Sequence, residues 1–204
     1  MATRKYDQRL RAEASEETRR RILDAVATCL REAPAEPVGL DRVARLAGVA
    51  RSTVYLVFGS RGGLFAAFGE DLLQHSGFAD MLKASAHPDA REDLRGGIHG
   101  VTRMYAAHRD VLRALHSMAM LAPDAVGGVI QRMDQGRAAG THRRALRLAD
   151  QGLLRPDVTV DEAASLLWLL MGFDSFDQLY TGRSLPVDQV ARMLAATAER
   201  SLCR

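Results

Sequence analysis

Lysine is almost missing from this chain: of 28 basic side chains only Lys5 and Lys83 are lysine, and the rest are arginine. The bias hints at a GC-rich bacterial genome and says nothing of function. Cysteine is equally scarce. Cys29 and Cys203 lie far apart and form no CxxC or Cys/His cluster, which argues against a disulfide framework or a zinc site. Long hydrophobic runs are lacking. The longest, Ala163–Phe173, falls short of the roughly 20 residues that span a bilayer. The N-terminus is charged and holds no apolar segment of the secretory kind, so the expected location is the cytoplasm, with no membrane partner. No segment shows strand alternation. A nucleophile elbow, a phosphate loop, an HExxH motif and a carboxylate pair are also absent. No catalytic residue, cofactor or metal ligand is therefore expected.

What is present suits a helical, globular chain. The 204 residues are 47% hydrophobic and 26% charged, enough for one large domain or two small ones. The net charge of +3 is unevenly placed. Up to Gly63 there are 12 Lys and Arg against 8 Asp and Glu; from Leu64 onward there are 16 against 17. A polyanion is drawn first to the N-terminal third.

Residues 1–14 are polar and basic, with Arg4, Lys5, Arg9 and Arg11, and read as a flexible arm. Ser15 reads as an N-cap, followed by Glu16 and Glu17. Ile22, Leu23, Val26, Ala27 and Leu30 keep helical spacing until Pro34 and Pro37. Short helices are expected at Leu40–Leu46 and Arg51–Phe58, and a fourth after Ser60. The pattern loosens around Ala84–Asp89. Helical patterns resume at Ala90–His108, Val111–Leu121, Asp124–Leu154, Val160–Leu179 and Val187–Leu202. The fold class expected is all-α with about nine helices. The domains expected are an arm (1–14), a helix-turn-helix domain (15–68) and a larger helical domain (69–204).

The segment Leu40–Phe58 reads LDRVARLAGVARSTVYLVF. It meets the demands of a helix-turn-helix, in which two short helices cross closely at a steep angle. Ala44 is small where the second helix must approach, and Gly48 falls in the turn, where left-handed backbone favours glycine. Val43, Ala47, Val49 and Val54 are spaced to form the core between the helices. Arg42, Arg45, Arg51, Ser52 and Thr53 are left for the outside.

This region closely resembles the tetracycline-repressor (TetR) family of bacterial regulators. The resemblance rests on Ile22, Ala25 and Leu30, on VARLAGVARSTVYLVF at 43–58 and on GSRGGLF at 59–65, and it covers roughly Thr18–Phe68. It implies a three-helix DNA-binding domain, a connecting fourth helix, and a larger domain for ligand binding and dimerisation. Arg51 lies near the start of the recognition helix, where an arginine can donate two hydrogen bonds to guanine. Ser52 and Thr53 are short donors for phosphates or base edges. The family implies a phosphate contact for Tyr55, a core role for Phe58, and for Arg61, beside Ser60, a cation at a helix N-terminus. Several positions depart from the family pattern. Gly39 stands where a threonine commonly caps, Ala50 and Ser52 replace serine and glycine, and Val57 removes a polar contact. Gly62 and Gly63 are expected to weaken the fourth helix by roughly 1 kcal/mol each.

The segment 163–173 is apolar nearly all round and needs cover on more than one side. The last helix carries a stripe that includes Val190, Ala191, Leu194, Ala195, Ala198 and Leu202. With Leu166 and Leu170, the stripe from Ala191 to Leu202 is expected to form the dimer interface that the resemblance implies; the alternative is burial within one chain. Met104, Tyr105, His108, Leu112, His116, Met120, Met133, Trp168, Met171, Phe173 and Phe176 are candidates to line a ligand site. Methionine and aromatic side chains adapt to varied apolar ligands, although taken singly each reads first as ordinary core. The leading expectation is a dimeric repressor of a palindromic operator, released by a small effector. The alternatives are a helical binding protein without specific DNA recognition and an all-α enzyme.

Overall fold

The computed structural model describes residues 2–34, 36–75, 83, 86–121 and 123–204. Among these, ten helices are found and no strand, apart from one isolated antiparallel bridge between Leu154 and Cys203. The all-α expectation is met.

By internal contacts the chain divides into two units. The first comprises residues 1–72 with 113–130, and the second comprises 73–112 with 131–204. The first holds helices α1 (Ala2–Glu32), α2 (Leu40–Ala47) and α3 (Arg51–Phe58) and, up to Leu72, α4 (Arg61–His75). Residues 2–14, expected as a flexible arm, are therefore helical, and Ser15 lies inside α1 instead of capping it. The cause is local. The run from Ala2 to Glu32 contains neither glycine nor proline, so nothing halts a helix that Ala12, Glu13, Ala14, Glu16 and Glu17 favour. The expected periodicity of α1 holds. Ile22, Leu23, Val26 and Leu30 are buried, together with Val38, Val43, Val54, Leu64 and Phe65. Each such side chain contributes roughly 1.5–3 kcal/mol of transfer free energy.

The rest of the chain forms α5 (Ala90–Ala107), α6 (Arg109–Leu121), α7 (Pro123–Asp150), α8 (Val160–Leu170), α9 (Phe173–Tyr180) and α10 (Val187–Leu202). Two ends are well capped. Asp89 accepts from the backbone N–H of Arg91 and Glu92 at 2.7 and 3.2 Å. Thr159 and Glu162 form a reciprocal capping box at the start of α8. In the second unit, α10 packs against α5, α8 and α9. Arg95 on α5 grips both carboxylate oxygens of Glu199 on α10, at 2.5 and 2.6 Å.

One expected helix is broken. The pattern over Val160–Leu179 reads as continuous, yet α8 ends at Leu170 and α9 starts at Phe173. Gly172 supplies the reason. A Cβ there would lie 2.4 Å from a terminal guanidinium nitrogen of Arg137 and 3.2 Å from the Leu169 carbonyl oxygen. The missing side chain leaves room for Arg137, whose guanidinium lies 4.2 Å from the centre of the Trp168 ring.

Candidate nucleic-acid interface

The turn between α2 and α3 is built on Gly48, whose φ of 64° and ψ of 38° are left-handed. Its N–H closes onto the carbonyls of Ala44 and Arg45, and the Val49 N–H donates to Ala44 at 3.0 Å. Arg21 of α1 adds a side-chain cap, donating to the last carbonyl of α2, Ala47, at 3.1 Å. Of the expected core, Val43, Ala44, Ala47 and Val54 are buried, while Val49 and Phe58 are half-buried. The Arg19 guanidinium covers the Phe58 ring at 5.1 Å.

Helical geometry sorts α3 into two faces. At about 100° per residue, Arg51, Tyr55, Ser52 and Leu56 fall within an arc of about 140°. All four are exposed. Thr53, Val54, Val57 and Phe58 occupy the opposite arc, and all four are buried or half-buried. Thr53 therefore sits at the edge of the unit's core more than on its outer face. No side chain caps the first turn of α3, which leaves the positive end of the helix open to an anion.

Arg51 is poised on this face. It donates to both carboxylate oxygens of Asp41 at 3.0 and 3.2 Å, and its guanidinium lies 5.9 Å from the Tyr55 ring centre. Hydrogen bonding with Tyr55, then the charge of Asp41, raises its pKa above the usual guanidinium value. The ion pair is solvent-exposed and costs little to exchange for a guanine edge. Arg42 points elsewhere, to Glu32 at 2.9 Å and Glu36 at 3.9 Å.

At the head of α4, Ser60 acts as the cap: its hydroxyl accepts from the Gly63 N–H at 2.9 Å. Arg61 lies 5.9 Å from the Phe65 ring centre, and its buried Nε has no hydrogen-bond partner. The view of Gly63 as only a weak point needs correction. A Cβ there would lie 2.1 Å from the Phe58 carbonyl oxygen, whereas at Gly62 the nearest atom is 3.8 Å away. Gly63 lets α4 approach the end of α3. Gly63→Ala should cost about 1–3 kcal/mol through forced displacement, and Gly62→Ala should be neutral or stabilising. Chemical denaturation of the two variants separates these outcomes.

Residues 22–68 match the family model for bacterial regulatory proteins of the tetR family. Over that segment, about a quarter of the chain, the N-terminal domain is similar to those of the TetR family. No curated protein matches the chain. Several solved structures share the TetR-family fold over nearly the whole chain. NalD, the secondary repressor of the MexAB-OprM multidrug efflux pump in Pseudomonas aeruginosa, aligns with TM-score 0.71 and 22% identity over 94% of this chain and 98% of that one. A TetR family transcription regulator from Marinobacter aquaeolei aligns at 0.70 and 16%, over 94% and 98%. FadR, a fatty acid degradation regulator from Bacillus halodurans, aligns at 0.67 and 13%, over 88% and 93%. At these identities the likeness is one of fold.

Of the residues expected to line a ligand site, Tyr105, Met171, Phe173 and Phe176 are in contact with one another. Tyr105, Phe173 and Phe176 form a buried ring cluster with centroids 5.5–6.2 Å apart. The Tyr105 hydroxyl donates to the Met171 carbonyl at 3.0 Å, and burial pushes its pKa up to about 12. Met104, Leu112 and Met171 are also buried. His108, His116 and Met133 are half-buried and Trp168 is exposed. Met120 is 86% exposed, and both it and His116 belong to the first unit. The second unit does carry an open cleft of about 590 Å³, walled by Ala106, Arg109, Asp110, Tyr180, Thr181, Ser184, Leu185 and Pro186. None of these was expected. Behind its wall, the buried Asp177 accepts from Arg109 Nε at 2.9 Å and from the Thr181 hydroxyl at 2.7 Å. An aspartate four residues before a threonine, at the end of a short helix, was the available signal.

The expected dimer stripe on α10 needs the largest revision. Ala191, Leu194, Ala195, Ala198 and Leu202 are all buried within a single chain, because α10 spends that face on α5 and α8. Leu166 and Leu170 remain half-exposed. The large apolar side chains exposed on α8 and α10 are Trp168, Leu169 and Met193.

Proposed function

We propose that the protein is a homodimeric transcriptional repressor that binds a palindromic operator and is released by a small-molecule effector. The observation that carries this reading is the exposed face of α3, where Arg51, Ser52 and Tyr55 stand together in a TetR-family domain. Arg51 reads a guanine after leaving Asp41. Tyr55 and Arg61 hold phosphates, Arg61 at a helix N-terminus where cation and backbone N–H groups share one anion.

The dimeric part of the reading is supported by the apolar side chains that α8 and α10 leave outward: Leu166, Trp168, Leu169, Leu170 and Met193. A second copy related by a two-fold axis covers this patch. It also sets two recognition helices about one helical turn apart, as a palindrome requires. The repressor sense is supported by the likeness of fold to NalD. The effector favours a dimer whose reading heads no longer match the operator spacing. The cleft beside Arg109 and the ring cluster around Tyr105 are the places in the second unit where an effector acts. No catalytic step, cofactor or metal enters this reading, and the protein works in the cytoplasm.

Gel-shift titration of the full chain against its own upstream region tests the proposal. Arg51→Ala should weaken specific binding by about 5- to 150-fold, the loss of one bidentate base contact. Binding to unrelated DNA should change far less and should fall steeply with salt. No specific shift, or an Arg51→Ala shift equal to wild type, refutes it.

A further inference from the structure

The recognition helix exposes a large apolar side chain. Leu56 is 86% exposed at one edge of the outward face of α3, although a leucine gains from leaving water. It carries no donor or acceptor, so it cannot hold a phosphate. It follows Ser52 by one helical turn and lies at the opposite edge of the face from Arg51. In the major groove the only apolar group a base edge presents is the C5-methyl of thymine.

We propose that Leu56 is a specificity-determining residue that packs against the methyl group of a thymine in each half-site. The proposal rests on the reading that α3 enters the major groove. Five residues separate Leu56 from Arg51, about 7.5 Å along the helix axis. That matches about two base steps of roughly 3.4 Å, so the thymine lies about two steps from the base that Arg51 reads. Arg51 and Leu56 then supply different information, one a hydrogen-bonded guanine and the other a methyl group.

Deoxyuridine gives the test, because it pairs as thymidine does and lacks only the methyl. The full-length protein selects its preferred sequence from a random duplex pool. Each thymine of that sequence is then replaced singly by deoxyuridine and the affinity measured. At one thymine per half-site the replacement should weaken binding by about four-fold, the worth of one buried methyl, and elsewhere by little. Leu56→Ala should weaken binding to the thymine duplex and lose the response to deoxyuridine, while keeping its preference at the base Arg51 reads. Thermal melting of Leu56→Ala should match wild type, since the side chain has almost no contacts to lose. Wild-type indifference to deoxyuridine at every thymine overturns the proposal. So does a full deoxyuridine response in Leu56→Ala. Failure to enrich any sequence overturns the DNA reading itself, and this inference with it.

Discussion

Replacing Leu169 with glutamate should turn the proposed dimer into a folded monomer and cut operator affinity by about a hundred-fold or more. Leu169 is 57% exposed in the single chain, so its side chain adds little to the monomer's core. In a two-fold dimer it meets the same surface of its mate. The substitution then places two carboxylates in a contact that excludes water, where each lacks a partner. The loss at the operator is larger than the loss of any one contact. Two tethered heads bind DNA with a high effective concentration for the second, worth about 10²–10⁴ in avidity. Sedimentation reports the assembly, and gel shifts report the affinity. A Leu169→Glu protein that still sediments as a dimer places the interface elsewhere and removes Trp168, Leu169 and Met193 from it.

The second large effect concerns stability. Asp93 on α5 is 5% exposed and is approached by two arginines of α7: Arg144 at 3.4 Å and Arg147 at 3.0 Å. Burial lowers the Arg144 pKa, and Asp93 is the main influence holding it up. The Arg144 guanidinium also lies so close to Gly97 that a Cβ there would be 2.6 Å away. Arg144 cannot readily swing out to water. Asp93→Ala should therefore cost about 3–5 kcal/mol, because a buried cation loses its counter-charge. That is a large share of the roughly 5–15 kcal/mol that holds a domain folded. Denaturant titration measures it. Asp93→Ala with Arg144→Leu should recover much of the loss, since no stranded charge remains. If the double variant is as unstable as the single one, packing around Asp93 matters more than its charge.

The helix-turn-helix was legible because its signals are local. Ala44, Gly48 and Val54 act within a dozen residues of one another, and the sorting of α3 into two faces follows from helical periodicity alone. Leu56 falls on the same wheel, but polarity alone does not mark an apolar side chain as outward. The extent of α1 was hidden for a different reason. A Gly- and Pro-free basic segment reads equally well as arm or helix, and only the continuation into Ile22–Leu30 decides. The second unit was harder because its determinants are far apart in sequence. Nothing near Gly172 reveals that Arg137 needs the space, and nothing near Asp93 reveals Arg144 and Arg147. A stripe such as Ala191–Leu202 shows that a face is buried. It does not show whether the cover is α5 and α8 or another molecule.

The near-absence of lysine takes on a meaning at the DNA-facing surface. Between Thr18 and Phe68 every basic side chain is arginine. Acetyl transfer to a lysine amine, which removes positive charge from many nucleic-acid-binding surfaces, finds no target there. Guanidinium groups also stay protonated across any pH a cell reaches. The positive charge of this surface is thus held by groups that neither pH nor acetylation removes, and in the proposed mechanism it is geometry that the effector alters.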